Sequence, residues 1–438
     1  MVEKSNIVLV DWRKYGDFSA VGQLTKKIFS EVKQVDVYPI QVLDDFQKCR
    51  LFKKQKNGEA KEIVSWPIFQ DSALNEIKKI QPVAIYVRLS PHKPTLEFSC
   101  KLAVVFPSVP LIVHFMDTPH LTGLRPSTAK YILSMYQFLM KKAERVYTIH
   151  DSSISWIKEQ YHKSPYVLSN FVKYSKAIDP IETLVKKNKI QISYFGSVDK
   201  KMNALALGTF AKEVADLDWV EFSVWSNSGV WGDLKEASEA YDNITVRKSN
   251  LSESEFQEQM GKADFLLLPY NMDEDSVEFL KHSFSNKLID YIESGRRILC
   301  LGSFKIPTVK ECDDYKLALV ISSDKELSNV FSSRKNLNKL CLEQYSMNFE
   351  SNIEALALSK KAALTSFINY IENITSTDTT DSLNNKLGKL EYPHTNKYLS
   401  SLIRRKFFDA QINRQSLFAT ISANLLKKKG YKGFDYEI

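Results

Sequence analysis

The residues with the most chemistry to offer lie in one stretch, His282 to Tyr291, which reads HSFSNKLIDY. An apolar, strand-like run, DFLLLPY (264–270), and a polar loop precede it, and a helix-like run ending at Gly295 follows. Ser283, Ser285 and Asn286 are small and polar. At a helix start, such residues leave backbone N–H groups free to hold phosphate oxygens. Lys287 adds a positive charge, and Asp290, about one turn further in, is within reach of a ribose diol at the same helix end. An ordinary Ser/Asn-capped helix with an exposed lysine fits the same residues equally well.

Other candidates sit where apolar strands run out. The loop DWRKYGDFSAVG offers Gly16 and Gly22 without the GxGxxG spacing, so turn residues compete with a close backbone approach to phosphate or sugar at Gly22. LIVHFMDTPHL ends a buried strand with His114 and Asp117, where a capping Asp and a core His compete with a site role; His114 reads as core. YTIHDSS places His150 and Asp151 at another strand end, and Asp151 or Ser152 reads as the cap of the next helix. YFGSVDKKMN puts Gly196 at a strand end with Lys200 and Lys201 close behind, either solvated or meeting a diphosphate.

The elements that must position these residues are short apolar strands alternating with amphipathic helices, in two blocks. NIVLVDW (6–12), QVDVYPI, PVAIYVRL (82–89), PLIVHFMD (110–117), RVYTIHD (145–151) and YVLSNFV (166–172) form the first. ISYFGS (192–197), VEFSVWS (220–226), NITVRK (243–248), DFLLLPY, RRILCLG (296–302) and LALVIS (317–322) form the second. Continuous apolar strands spaced for helices predict parallel sheets covered on both faces, hence an α/β fold of two tandem Rossmann-like, doubly wound domains with ligands at the strands' carboxyl ends. The expected divisions are a first Rossmann-like domain over 1–180, a polar linker at 178–189, and a second Rossmann-like domain over 190–342. A long amphipathic helix over 343–375 and a basic helical tail over 385–438 follow. A helix at 252–263 should start at Ser252 with Glu255 completing a capping box.

Length and composition agree with this division. At 438 residues and 44% hydrophobic content the chain can build two cores. The net charge of +8 is concentrated: residues 384–438 carry 11 Lys/Arg against 4 Asp/Glu, and the rest is close to neutral. Such a tail suits an anionic surface, and Leu402, Ile403, Phe407 and Phe408 beside Arg404, Arg405 and Lys406 suit peripheral membrane contact. Nucleic acid is not expected as a partner, because the excess is small and no stacking module is visible. Five scattered cysteines without CxxC spacing argue against a disulfide framework or a zinc site and for a reducing compartment. The N-terminal apolar run is too short for a signal peptide, and no run is long enough to cross a membrane, so a cytoplasmic enzyme at the inner membrane face is expected.

Over roughly residues 5–372 the chain resembles the GT-B glycosyltransferases, in the retaining, family-4-like branch of bacterial surface-polysaccharide synthesis. ADFLLLPY followed by SFSNKLIDYIESGRRIL is similar to that family's donor site, Pro-x-Lys-Leu-x-Glu-Tyr-x-x-x-Gly, with Lys287, Leu288, Asp290, Tyr291 and Gly295 in the matching places. PLIVHFMDTPH is similar to a strand ending His-Phe-Met-Asp-Asp-Trp-Pro, and YFGS to the entry strand of the second domain. The family's paired glutamates fall on His282 and Asp290, its arginine after the entry glycine on Ser197, and its second aspartate on Thr118. The resemblance implies metal-free, retaining transfer of a sugar from a nucleotide donor, a UDP- or GDP-sugar, to a hydroxyl of a glycan or lipid-linked acceptor, with no further cofactor. It implies Asp117 and His282 as catalytic residues and Gly22 facing the sugar or acceptor. The diphosphate would meet Gly196, Lys200 or Lys201, Lys287 and the amides around Ser285 and Asn286. Asp290 would take the ribose, and the loop at Leu251 would flank the base. The departures at His282 and Ser197 point to a second reading, a non-catalytic subunit or binding protein built on the same fold.

Overall fold

The protein is described from a computed structural model over residues 5–17, 20–43, 49–55, 59–66, 71–116, 124–173, 181–229, 232–249, 251–345 and 349–376. The elements of the first half are β1 (Ser5–Asp11), α1 (Ala20–Glu31), β2 (Val35–Val42), β3 (Cys49–Lys54), β4 (Ala60–Trp66), α2 (Asp71–Ile80), β5 (Pro82–Leu89), α3 (Lys93–Val105), β6 (Leu111–Phe115), α4 (Pro126–Lys142), β7 (Arg145–Thr148), α5 (Ile154–Tyr161) and β8 (Tyr166–Val167). The second half comprises α6 (Ile181–Lys186), β9 (Ile190–Phe195), α7 (Ala204–Val214), β10 (Val220–Ser226), α8 (Gly232–Ala240), β11 (Ile244–Lys248), α9 (Glu253–Lys262), β12 (Phe265–Pro269), α10 (Glu274–Leu280), α11 (Lys287–Ser294), β13 (Arg297–Leu301), α12 (Pro307–Asp314), β14 (Leu319–Ile321), α13 (Asp324–Phe331) and α14 (Arg334–Tyr345). α15 (Phe349–Ser376) closes the described chain.

Among the described residues the strands form two sheets, in the orders β4-β3-β2-β1-β5-β6-β7-β8 and β11-β10-β9-β12-β13-β14. The second is wholly parallel and has the strand order of a doubly wound dinucleotide-type sheet, with β12 and β13 buried throughout. The first is parallel from β2 to β8 but carries an antiparallel extension, β2–β3–β4, that the apolar pattern does not announce. The reason is that β4 is an edge strand exposed along most of its length, with Lys61, Glu62 and Ser65 facing water and Ile63 53% exposed. Such strands lack the continuous apolar run of buried ones.

Local expectations were met unevenly. Ser252 and Glu255 form the full capping box of α9, and Gly295 closes α11 in the left-handed region. The linker expected at 178–189 instead contains α6, anchored by the fully buried Leu184 and by Arg334, whose guanidinium takes the carbonyls of Leu184, Val185 and Lys187. The loop expected after Pro269 contains α10, started by Asp273 accepting from the Ser276 amide at 2.9 Å. The strand expected over 166–172 pairs only at Tyr166 and Val167, because Asn170 turns its side chain onto the Phe171 amide at 2.9 Å. The long helix expected from residue 343 divides into α14 and α15.

α15 packs on the first sheet. Phe367 lies edge-on to Phe29, Tyr86 and Tyr147 with centroids 5.8, 6.2 and 5.3 Å away. All five cysteines are buried free thiols. Among the described residues no helix is long and apolar enough to cross a membrane.

Candidate functional site

In an open parallel sheet, ligands bind where the strand order reverses, outside the carboxyl ends. In the second sheet that point lies between β9 and β12, and Gly196 is the residue that leaves β9. Gly196 has φ +145°, a conformation L side chains rarely adopt. A Cβ there would strike Lys287 Cε, and it would come within 2.8 Å of Lys287 Nζ and 3.0 Å of the Tyr194 hydroxyl. The lysine that opens α11 therefore lies across the glycine that ends β9, with its ammonium 5.5 Å from the Tyr194 ring. Among the described residues Lys287 makes no ion pair.

The loop beneath is fixed by its own hydrogen bonds. Tyr194 donates to the Ser197 carbonyl at 2.6 Å, and Asn203 Nδ2 donates to the Tyr194 hydroxyl at 2.7 Å. Asp199 Oδ1 accepts from the amides of Lys201 and Met202 at 2.8 and 3.1 Å. The buried Asn271, just after β12, donates to the Lys200 carbonyl at 2.8 Å and accepts from the Ala206 amide at 3.0 Å. Asn203 and Asn271 escaped the sequence reading because asparagine near a strand end looks like any turn residue.

At the start of α11, Asn286 adopts helical φ and ψ, and its side chain makes no capping bond. Its Oδ1 is buried with no partner among the described residues. The Ser285 amide, expected to be free for phosphate, is instead taken by Thr308 Oγ1 at 2.9 Å. The amides of Asn286 and Lys287 meet no acceptor among the described residues, so the free donors lie one residue further along than expected. One turn on, Asp290 is pushed up to about 6 by burial, with Lys27 and Lys287 opposing and Glu293 adding to the shift. Lys27 belongs to α1 and pairs with Glu293 at 2.9 Å, so α1 and α11 face each other between the two sheets.

The segment between α10 and α11 also docks on the first half of the chain. His282 Nδ1 donates to the Ser152 carbonyl at 3.0 Å, and its own carbonyl accepts from Ser153 Oγ at 3.2 Å. Burial holds its pKa below the ordinary histidine value, and Lys281 adds to this. Phe284 stacks on His150 with centroids 4.8 Å apart and planes 9° from parallel, and the Lys360 ammonium lies 4.8 Å from the same ring. Glu311 joins them, 3.3 Å from His150 Nε2 and 3.1 Å from Lys360 Nζ. Against the burial that pushes it up, His150 and Lys360 hold its carboxyl below the usual range. His150 Nδ1 accepts from the Ser152 amide at 3.1 Å, so His150 itself caps the turn assigned from sequence to Asp151 or Ser152.

The remaining candidates are spread out. The Lys201 ammonium lies 5.7 Å from the Phe279 ring, and Lys200 is held by its carbonyl with its side chain exposed. Leu251 is half-buried against the core just before α9. Gly22, in α1, is where a Cβ would run into the Asp17 carboxylate, so its small size serves the packing of its own loop. Asp117 and the tail over 385–438 lie outside the described residues. His114 is a core residue: it is buried, its Nδ1 bonds the Tyr86 hydroxyl, and burial followed by the nearby Arg88 lowers its pKa to about 3.

The first sheet reverses between β1 and β5, and there Asp11 and Arg88 form a buried two-pronged ion pair, Nε–Oδ2 2.6 Å and Nη2–Oδ1 2.5 Å. The sequence reading passed over it, although charged residues within LVDW and YVRL were the available signal.

No family model matches the chain, and no curated protein sequence does. Solved structures do. Sucrose-phosphate synthase from Thermosynechococcus elongatus aligns over 85% of this chain and 100% of its own, with TM-score 0.58 and 10% identity. TarM aligns over 76% of this chain and 64% of its own (TM-score 0.47, 13% identity). The pneumococcal O-GlcNAc transferase GtfA, in complex with UDP and GlcNAc, aligns over 75% and 70% (TM-score 0.46, 12% identity). With the first of these and the strand orders above, the chain has the GT-B fold, two Rossmann-like domains with a C-terminal helical region.

Proposed function

We propose that this protein is a glycosyltransferase that moves a sugar from a nucleotide-sugar donor, a UDP- or GDP-sugar, to a hydroxyl of a glycan or lipid-linked acceptor. One observation carries the reading: a lysine with no ion pair among the described residues, laid across a glycine at the switch point of the second sheet, at the amino end of α11. That arrangement suits the diphosphate of the donor, with Lys287 and the amides of Asn286 and Lys287 neutralising the leaving group. In the reaction the bond from the sugar's anomeric carbon to the diphosphate breaks and a bond to the acceptor oxygen forms. The nucleoside diphosphate leaves with the electron pair, and the acceptor's proton is released to it or to water. Lys200 or Lys201 is a second cation within the same loop region, and the loop at Leu251 flanks the base.

Asp290 takes the ribose diol as an ionised acceptor. His282 stands where the family has a carboxylate beside the donor sugar. With Nδ1 donating to Ser152, Nε2 is left to accept from a sugar hydroxyl, and the lowered pKa keeps the ring neutral near pH 7. Asp117 serves the acceptor side. The transfer proceeds with retention and without a metal, in cell-surface polysaccharide or glycolipid synthesis on the cytoplasmic face, where the basic tail holds the enzyme near its acceptor.

A thermal-shift panel of UDP, GDP, ADP, CDP and their common sugars tests the reading. A ligand at about 100 times its Kd adds roughly 2.7 kcal/mol. One clear responder that Lys287→Ala abolishes supports the enzyme. Silence from all members in a folded sample favours the second reading, a non-catalytic subunit, which the docking of His282 and Phe284 onto the first half of the chain also suits.

A further inference from the structure

A second cationic feature lies away from this site, at the amino end of β7. Arg145 opens that strand, and its guanidinium packs against two tyrosine rings, 4.5 Å from Tyr166 and 4.4 Å from Tyr370. The Tyr370 ring is held in turn by its hydroxyl, which donates to Glu144 at 2.8 Å. Among the described residues no carboxylate pairs with Arg145 or with Lys361. Both line an open groove of ≈650 Å³ along one face of α15, where Thr365, Ser366 and Asn369 also point. These positions recur at helical spacings of three and four, so one helix face presents a cation, two hydroxyls and an amide toward the clamped arginine.

The chemistry of the lining selects the occupant. A guanidinium held over tyrosine rings can present its N–H edges to an in-plane, two-pronged acceptor. A carboxylate would use the arginine alone. Two cations with three neutral donors match a group with more oxygens and more charge.

We propose that this groove is an anion site separate from the one at Gly196 and Lys287, and that it binds a phosphate group, free or on a lipid head. Arg145 takes two oxygens, Lys361 supplies the second charge, and Thr365, Ser366 and Asn369 complete the shell. The lipid source is natural to consider because the basic amphipathic sequence 400–429 follows α15 further along the chain. The site does not depend on the transferase reading.

The test uses the full chain carrying Lys287→Ala, so that the first anion site is silent. Inorganic phosphate is titrated calorimetrically, and co-sedimentation compares phosphatidylglycerol with phosphatidylcholine vesicles. Arg145→Gln is expected to weaken phosphate binding at least tenfold, Lys361→Gln about threefold, and Arg145→Lys is expected to recover part of the loss. If Arg145→Gln also lowers phosphatidylglycerol binding severalfold, the phosphate belongs to a lipid head. If vesicle binding is unchanged while phosphate binding falls, the ligand is a soluble phosphate. Equal phosphate and vesicle binding by wild type and Arg145→Gln overturns the site. Lys361 is exposed, so Lys361→Gln tests the site even if the arginine variants fail to fold. Unchanged phosphate affinity in that variant would overturn it equally.

Discussion

The two sheets reverse their strand order at two comparable edges, and the charges there are handled in opposite ways. At the edge between β1 and β5, the cation Arg88 is buried and answered by Asp11 in a two-pronged pair. At the edge between β9 and β12, the cation Lys287 is half-buried, lies against a glycine and a tyrosine face, and makes no ion pair among the described residues. The first edge is electrostatically complete within the protein, whereas the second holds a cation without an ion pair among the described residues, the one to which the proposed function assigns the donor's diphosphate. The same topology thus carries one self-neutralised edge and one edge with an unanswered cation among the described residues, and side-chain chemistry makes the difference.

The sharpest way to break this contrast is at Arg88. Arg88→Met strands Asp11 as a buried charge and should cost about 3–5 kcal/mol in urea unfolding, while the double replacement Asp11→Leu with Arg88→Met should recover most of it. If Arg88→Met were as stable as wild type, the first edge would not be self-neutralised. At the second edge, Lys287→Ala should leave stability nearly unchanged and weaken nucleoside-diphosphate affinity roughly 10- to 100-fold, the worth of a hydrogen bond to a charged group. Calorimetry on the responding nucleotide measures it.

Gly196→Ala sharpens the point, since its methyl must displace the Lys287 side chain and adopt a strained φ. A roughly tenfold loss of affinity is expected, smaller than that of Lys287→Ala, with a lower melting temperature as well. The smallest effect concerns Asp290. Its folded pKa of about 6 lies above the ordinary 3.8, so its ionisation costs stability as pH rises through that window. Asp290→Asn should therefore melt above wild type at pH 7 and match it near pH 3.5. If Asp290 takes the ribose as an ionised acceptor, nucleotide affinity should fall more steeply with pH below about 6 in wild type than in Asp290→Asn.

Much of the fold was legible because buried parallel strands announce themselves. NIVLVDW, PVAIYVRL, DFLLLPY and RRILCLG are continuous apolar runs, and each became a strand. The capping box at Ser252 and the glycine stop at Gly295 were legible because backbone geometry there depends on one or two neighbouring residues. β4, α6 and α10 were illegible for the converse reason. Their sequences are polar on the exposed side, and α6 is held by a distant partner, Arg334 over its end.

The sequence by itself determined the alternation of strands and helices, and so the two-sheet architecture, because periodicity and burial are local consequences of residue type. It also marked Gly196, Lys287 and Asp290 as candidates. Only the tertiary structure decided that Gly196 and Lys287 touch, that Thr308 rather than a ligand takes the Ser285 amide, and that Phe284 stacks on His150 with the Lys360 ammonium against the same ring. These are contacts between residues far apart in the chain. They depend on how whole elements pack, which no local pattern of residues encodes.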